Sequence, residues 1–89
     1  MNKIEHIGIA VNDLEAASKT YAALLGVENY KTEAVESEGV DTSFFKVGES
    51  KIELLAATHE ESPISKFIKK RGEGIHHIAF EVEDIRAEM

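Results

Sequence analysis

The sequence predicts an α+β fold made of two related modules, the first complete and the second truncated after its first strand. The first observation is an internal repeat, because residues 6–16 return as residues 77–87 at a constant offset of 71. Five of the eleven paired positions are identical, and both copies open on a histidine. The second observation is the order of patterns between the copies, which is strand, helix and then three strands. Repetition of this kind indicates a paired βαβββ architecture.

The first module opens on a strand followed by a helix. Alternating, β-branched residues predict a strand from Ile4 to Val11. One face of this strand carries His6, Gly8 and Ala10, and the other carries Ile7, Ile9 and Val11. A helix then follows with Asn12 as the predicted N-cap, Glu15 as its capping-box partner and Gly26 beyond its last turn.

Three more strands complete the first module, which we place at residues 1–57. The pattern predicts strands over residues 30–36 and 40–47, joined by a turn at 37–39. A second turn at Gly48 leads into a strand over residues 51–56. In this last strand, Glu53 has the opposite parity from Ile52 and Leu54, so it lies on the other face.

Residues 58–73 form the predicted linker and connecting helix. Ser62 followed by Pro63 is a strong helix start, and Gly72 or Gly74 ends the helix. Residues 74–89 are the predicted start of the second module. They comprise a strand over 74–82 and a helix that begins at Asp84 and is cut off at the end of the chain.

Composition restricts the function classes. The chain has 89 residues, a net charge of −7 and no cysteine. The negative charge argues against nucleic acid and anionic membranes as partners, and the missing thiol excludes disulfides and thiolate metal sites. Because the first strand begins at Lys3, there is no room for a signal peptide. We therefore expect a cytoplasmic protein without nucleic-acid or membrane partners.

Three residues predict a metal site. The repeat places His6 and His77 at equivalent positions on equivalent strands, and Glu53 lies on the face away from its apolar neighbours. Two imidazoles and a carboxylate that meet at one cavity suit a divalent transition metal. Strand alternation predicts that His76 points away from that cavity, and His59 is expected in solvent within the linker.

A basic cluster lies near the end of the connecting helix. It comprises Lys66, Lys69, Lys70 and Arg71. Cations at a helix C-terminus complement the helix dipole, and this interpretation is favoured. Contact with a phosphorylated ligand is the alternative, and the sequence leaves it open.

Four segments resemble a known family, namely residues 6–11, 51–55, 61–68 and 72–80. They are similar to the methylmalonyl-CoA epimerases of the vicinal oxygen chelate superfamily, which also contains glyoxalase I. The segment from Glu73 to Ala79 is the most specific part of the resemblance. The likeness implies glyoxalase-like paired βαβββ modules around a metal. It covers the whole chain, but about the first two thirds of a typical family member.

The resemblance also implies roles for particular residues. It makes His6, Glu53 and His77 metal ligands and places a fourth ligand, a Glu that also supplies one catalytic carboxylate, beyond the end of this chain. Some family members carry the opposite base where this sequence has Thr42. The catalytic groups of this chain are therefore unassigned, with Glu38 and Asp41 as nearby alternatives.

The implied activity is epimerisation of methylmalonyl-CoA, an acyl-CoA thioester, at C2 through a metal-stabilised enolate. Lewis-acid stabilisation and acid–base groups on both faces would carry this reaction. Cobalt or manganese is the expected ion, with zinc and nickel as alternatives. A glyoxalase-type lyase and a metal-free small-molecule binding module of the same fold are the alternative functions. The 89-residue chain alone is expected to be nearly inactive. It is also expected to form a homodimer through its open strand edges, with a marginally stable, aggregation-prone monomer as the alternative.

Overall fold

The computed structural model describes residues 3–81 of the chain. The elements in chain order are β1 (Lys3–Ala10), α1 (Leu14–Leu25), β2 (Lys31–Val35), a 3₁₀ turn (Glu36–Glu38), β3 (Val40–Val47), β4 (Ser50–Ala57), α2 (Pro63–Arg71) and β5 (Gly74–Glu81). This confirms the predicted α+β class, with strands close to their predicted positions. The helix predicted to begin at Asp84 lies outside the described residues.

The five strands form one mixed sheet in the order β2-β3-β4-β1-β5. β1 pairs in parallel with β4, whereas the β1–β5, β2–β3 and β3–β4 pairs are antiparallel. β1 therefore lies between the strand that carries Glu53 and the strand that carries His77. This arrangement brings the three predicted ligand strands side by side.

Each face of the sheet is covered by one helix. On the α1 side, Val11, Phe45, Leu54 and Ala56 form a buried cluster against which α1 packs. On the α2 side, a second buried cluster comprises Ala10, Val40, Leu55 and Ile64. The predicted division of β1 and β4 into two faces is confirmed, because Leu54 and Leu55 belong to opposite clusters. The face of His6 and Glu53 is the α2 side.

The N-cap of α1 is Asp13, so the prediction of Asn12 was wrong. The Asp13 carboxylate accepts a hydrogen bond from the Ala16 backbone N–H at 3.1 Å, which is the pattern of a capping residue. Asn12 belongs to the preceding loop, where its backbone N–H donates to the Glu73 carboxylate at 2.6 Å. The end of the helix agrees with the prediction, since Gly26 has a φ of 73°.

The start of α2 depends on one buried hydroxyl. Ser62 is 1% exposed, and its Oγ accepts a hydrogen bond from the Ile64 backbone N–H at 3.1 Å. The predicted Ser62-Pro63 helix start is therefore confirmed. Neither helix of the described chain is long and apolar enough to cross a membrane.

We expect the Ser62→Ala variant to lose about 1 kcal/mol of unfolding free energy, because the Ile64 N–H then loses its capping partner. Urea unfolding monitored by circular dichroism measures this loss. Ser37→Ala is the matched control, since Ser37 is exposed in the 3₁₀ turn. Equal midpoints for the two variants would contradict the capping role.

Candidate metal centre

The structure brings His6, Glu53 and His77 together. One ligand atom from each residue lies within 4.8 Å of the others, and all three side chains are partly buried. Pairing explains the convergence, because Gly8 of β1 lies opposite both Glu53 on β4 and His77 on β5. Residues directly opposite each other in a sheet share a face, so these side chains meet above Gly8.

The distances between these side chains suit a metal ion. The His6 and His77 Nε2 atoms are 3.0 Å apart, and Glu53 Oε2 lies 3.7 Å from Nδ1, the other ring nitrogen of His6. Two nitrogens that would each bind one ion at about 2.1 Å can be at most about 4.2 Å apart, and the observed separation lies within that limit. The nitrogen and oxygen donors also match the preferences of divalent transition metals. The residues present therefore fit a metal.

Gly8 provides the space for this cluster. A Cβ atom at Gly8 would overlap the His77 ring, including its Cε1, Nδ1 and Nε2 atoms. The ring can therefore lie across β1 only because position 8 has no side chain. The sequence pattern shows Gly8 on the correct face, but it does not reveal this close approach.

His76 lies on the same side as His77, and the prediction that it points away was wrong. Its ring packs edge-on against Phe67 of α2, with the ring centroids 4.9 Å apart. The Nδ1 atoms of His76 and His77 are 2.9 Å apart, within hydrogen-bonding distance. The physical reason is a β-bulge, because Gly8 pairs with His77 and Ile9 pairs with Ile75, which leaves His76 as an extra residue.

Glu5 is a member of the cluster that sequence reasoning missed. Its carboxylate contacts His6 Nδ1 and also forms an ion pair with Lys51 at 3.1 Å. The hydrogen bond from His6, and then that from Lys51, hold the pKa of Glu5 below its usual value. Glu5 is also an extra residue of the β1–β5 ladder, since Ile4 pairs with Phe80 and His6 pairs with Ala79.

The environment of His77 favours its neutral form. Burial lowers the pKa of His77, and the neighbouring His6 and His76 lower it further, against a small opposing effect of Glu53. Metals bind the neutral imidazole, in which a nitrogen lone pair is available. The electrostatics around His77 are thus compatible with a ligand role.

A cavity of about 230 Å³ adjoins His77 on the α2 side of the sheet. Its walls are mostly apolar, and Glu38 and Thr42 contribute to them. Asp41 is opposite Ala56, which belongs to the cluster beneath α1, so Asp41 lies on the other face of the sheet. Of the two carboxylates considered as bases, Glu38 therefore lines the cavity and Asp41 does not.

The remaining sequence-predicted groups lie outside this cavity. Lys66, Lys69, Lys70 and Arg71 are exposed, and Lys69 approaches Glu60 at 3.8 Å. They lie toward the far end of α2 from Pro63 and Ile64, which contribute to the cavity wall. His59 is exposed, as expected, and its Nδ1 accepts a hydrogen bond from the Glu61 backbone N–H at 3.2 Å.

Comparison with known proteins decides the family. The model of the glyoxalase/bleomycin resistance protein/dioxygenase superfamily matches residues 5–89. This chain belongs to that superfamily. Among curated members, the ethylmalonyl-CoA/methylmalonyl-CoA epimerase of Cereibacter sphaeroides is 43% identical over 88 residues, which cover 98% of this chain and 66% of the relative. The human mitochondrial methylmalonyl-CoA epimerase is 36% identical over 88 residues, covering 98% of this chain and 50% of the relative.

Solved structures of the superfamily share this fold. The methylmalonyl-CoA epimerase of Streptomyces coelicolor, in complex with 2-nitronate-propionyl-CoA, has a TM-score of 0.84 and 41% identity. The match covers 97% of this chain and 66% of that one. The chain thus spans between about half and two thirds of the length of the curated relatives that it matches.

Proposed function

We propose that this protein catalyses the metal-dependent epimerisation of methylmalonyl-CoA at C2. The observation that carries the proposal is the meeting of His6, Glu53 and His77 beside an apolar cavity. The substrate is inferred from similarity to methylmalonyl-CoA epimerases. One of these, 41% identical to this chain, has a solved structure with methylmalonyl-CoA and NH4+. The acyl-CoA thioester is accordingly the proposed substrate class.

The proposed ligands are the Nε2 atoms of His6 and His77 and a carboxylate oxygen of Glu53. Cobalt or manganese is the proposed ion, and zinc and nickel are the alternatives. A bound divalent ion would supply Lewis-acid stabilisation of the negative charge that develops when the C2 proton leaves. Glu53 offers an anionic donor that partly neutralises a divalent charge in this half-buried place.

The cavity residues would bind the acyl group and transfer the proton. Leu55 and Ile64 are buried and give the cavity an apolar wall. Glu38 is the carboxylate that lines this cavity among the described residues, and we assign it one of the two proton transfers. Thr42 stands where, by the resemblance above, some family members carry a base, and its side chain has no group that ionises near neutral pH. Epimerisation requires a second acid–base group on the opposite face of the substrate.

We expect the Glu38→Gln variant to exchange the C2 proton of methylmalonyl-CoA about 10²–10⁴-fold more slowly, because the amide cannot accept that proton. Exchange with deuterium, followed by NMR in the complete gene product, measures the rate. Glu36→Gln is the matched control, since Glu36 is an exposed acid of the same 3₁₀ turn and is absent from the cavity wall. Both variants should keep the metal content of the parent protein.

Other results would contradict the role of Glu38 or favour an alternative function. Equal exchange rates for Glu38→Gln and the parent would remove Glu38 from the mechanism. Turnover of the hemithioacetal of methylglyoxal, with no exchange of methylmalonyl-CoA, would support the glyoxalase-type lyase instead. A purified protein that binds small molecules but no divalent metal would support the binding module of the same fold.

A further inference from the structure

Two β-bulges enclose the histidine pair. Between the two bulges, His6 pairs with Ala79, Ile7 with Ile78 and Gly8 with His77. The register of these three pairs is shifted by one residue from that of the pairs on either side. The extra residue is Glu5 at one end, on β1, and His76 at the other end, on β5. Each bulged residue immediately precedes a histidine of the candidate metal centre.

The bulges change the direction of these two side chains. In a regular strand, successive side chains point to opposite faces, so Glu5 and His76 would lie away from the cluster. A bulge breaks this alternation and re-aims a side chain. In this structure Glu5 contacts His6 Nδ1, and His76 Nδ1 lies 2.9 Å from His77 Nδ1. Both ligand rings are therefore held at Nδ1 by the residue before them.

We propose that Glu5 and His76 are positioning residues that hold Nδ1 of the two imidazoles and leave both Nε2 atoms free for the metal. This inference rests on the metal site of the proposed function. Metal-binding histidines commonly donate their second ring N–H to an outer partner, which fixes the ring and its tautomer. Glu5 and His76 occupy that position for His6 and His77, and they do so at the same offset of 71 residues.

The tautomers follow from the hydrogen bonds. A carboxylate only accepts, so His6 Nδ1 carries the proton that it donates to Glu5, and His6 Nε2 keeps its lone pair. His77 must likewise carry its proton on Nδ1 in order to offer Nε2 to a metal. His76 Nδ1 is then the acceptor, and its own proton lies on Nε2. Without metal, the facing Nε2 atoms 3.0 Å apart require that one of them donates to the other.

Glu5 and His76 each contact a further side chain outside the histidine pair. Lys51 pairs with the second carboxylate oxygen of Glu5 at 3.1 Å, and Phe67 packs edge-on against His76. The two partners differ in charge, because Glu5 is anionic while His76 is an imidazole. A charged acceptor forms the stronger hydrogen bond, so the loss of Glu5 should weaken metal binding more than the loss of His76.

The first experiment measures Zn²⁺ affinity by competition with a chromogenic chelator. We expect about a 10–100-fold weaker affinity for Glu5→Ala and for His76→Ala, with the larger loss for Glu5→Ala. Glu5→Gln keeps an acceptor oxygen and should recover part of the loss. Glu33→Gln and His59→Ala are the matched controls, since both residues are exposed and lie outside the cluster. Thermal melting confirms that every variant is folded.

The second experiment reads the tautomers by ¹⁵N–¹H NMR of the imidazole rings. We expect His6 to carry its proton on Nδ1 with and without Zn²⁺, and His77 to move its proton from Nε2 to Nδ1 when Zn²⁺ binds. The movement in His77 reports that Zn²⁺ binds through Nε2, and the role of Glu5 is read from the His6 tautomer in its variants. In Glu5→Ala the Nδ1–H preference of His6 should disappear, and Glu5→Gln should restore it.

The outcomes separate this inference from the metal site itself. If Glu5→Ala and His76→Ala bind Zn²⁺ as tightly as the parent while His77→Ala does not, the metal site stands and the positioning role is wrong. If the parent protein binds no divalent metal, the proposed function fails at its metal site. The metal-free tautomer of His6 then still decides the role of Glu5, and a proton on Nε2 instead of Nδ1 would overturn it.

Discussion

The His77→Ala variant is expected to lose divalent metal binding, by more than the roughly 100-fold that the loss of an outer partner causes. His77 supplies one of three ligand atoms that lie within 4.8 Å of one another, and alanine has no donor atom to replace it. Isothermal titration with Co²⁺ measures the affinity, and the visible absorption of bound Co²⁺ reports the ligand set. Proton exchange at C2 of methylmalonyl-CoA should disappear together with the metal.

The control for this prediction is His59→Ala. It removes an imidazole of the same chain, but His59 is exposed in the loop between β4 and α2 and lies outside the cluster. It should leave the affinity for Co²⁺ unchanged. A His77→Ala protein that is folded and retains the affinity of the parent would contradict the ligand role of His77.

Phe45→Ala should reduce the unfolding free energy by about 3–5 kcal/mol. Phe45 is 0% exposed and packs in the buried cluster of Val11, Leu54 and Ala56 beneath α1. Truncation leaves a cavity in this cluster, where surrounding residues can relax only in part. Domains of this size have a thin margin of stability, so a loss of this size would populate unfolded protein under ordinary conditions.

Phe80→Ala is the matched control for Phe45→Ala. Phe80 is 52% exposed on β5, and most substitutions at exposed positions change stability by less than about 0.5 kcal/mol. Urea unfolding of both variants, followed by circular dichroism, compares the two sites. A similar loss for the two phenylalanines would show that Phe45 is not a central packing residue.

The arrangement of the three proposed ligands was predictable because it depends on periodicity. Alternation along β1 and β4 predicts the faces on which His6 and Glu53 lie. The repeat places His77 at the position equivalent to His6, so it predicts the same face for His77. The observed register then brings these residues together above Gly8. Long-range pairing itself is not encoded in any local pattern, but the repeat indicated which strands were equivalent.

The bulges were not predictable from the same signal. At Glu5 and His76 the pairing shifts by one residue, and two adjacent polar residues interrupt the alternation there, in Ile4-Glu5-His6-Ile7 and Ile75-His76-His77-Ile78. The prediction treated both stretches as regular strand. Periodicity describes one strand, whereas a bulge is a property of two strands that pair. For this reason the direction of His76 was predicted wrongly and the contact of Glu5 was missed. Choosing between Glu38 and Asp41 likewise required the cavity and the register of β3.

The position of β1 between β4 and β5 has a consequence for when the candidate metal site forms. Its neighbours β4 and β5 bring residues that lie 47 and 71 positions after His6 in the chain. Pairings over such separations form late, because the chain loses conformational entropy when it closes a long loop, before the new contacts provide any stabilisation. During synthesis, no complete set of these three donors exists until His77 has left the ribosome and β5 has joined β1. If the proposed site binds an ion, capture would follow the pairing of β5 with β1, and the ion would stabilise only chains in which these strands have assembled.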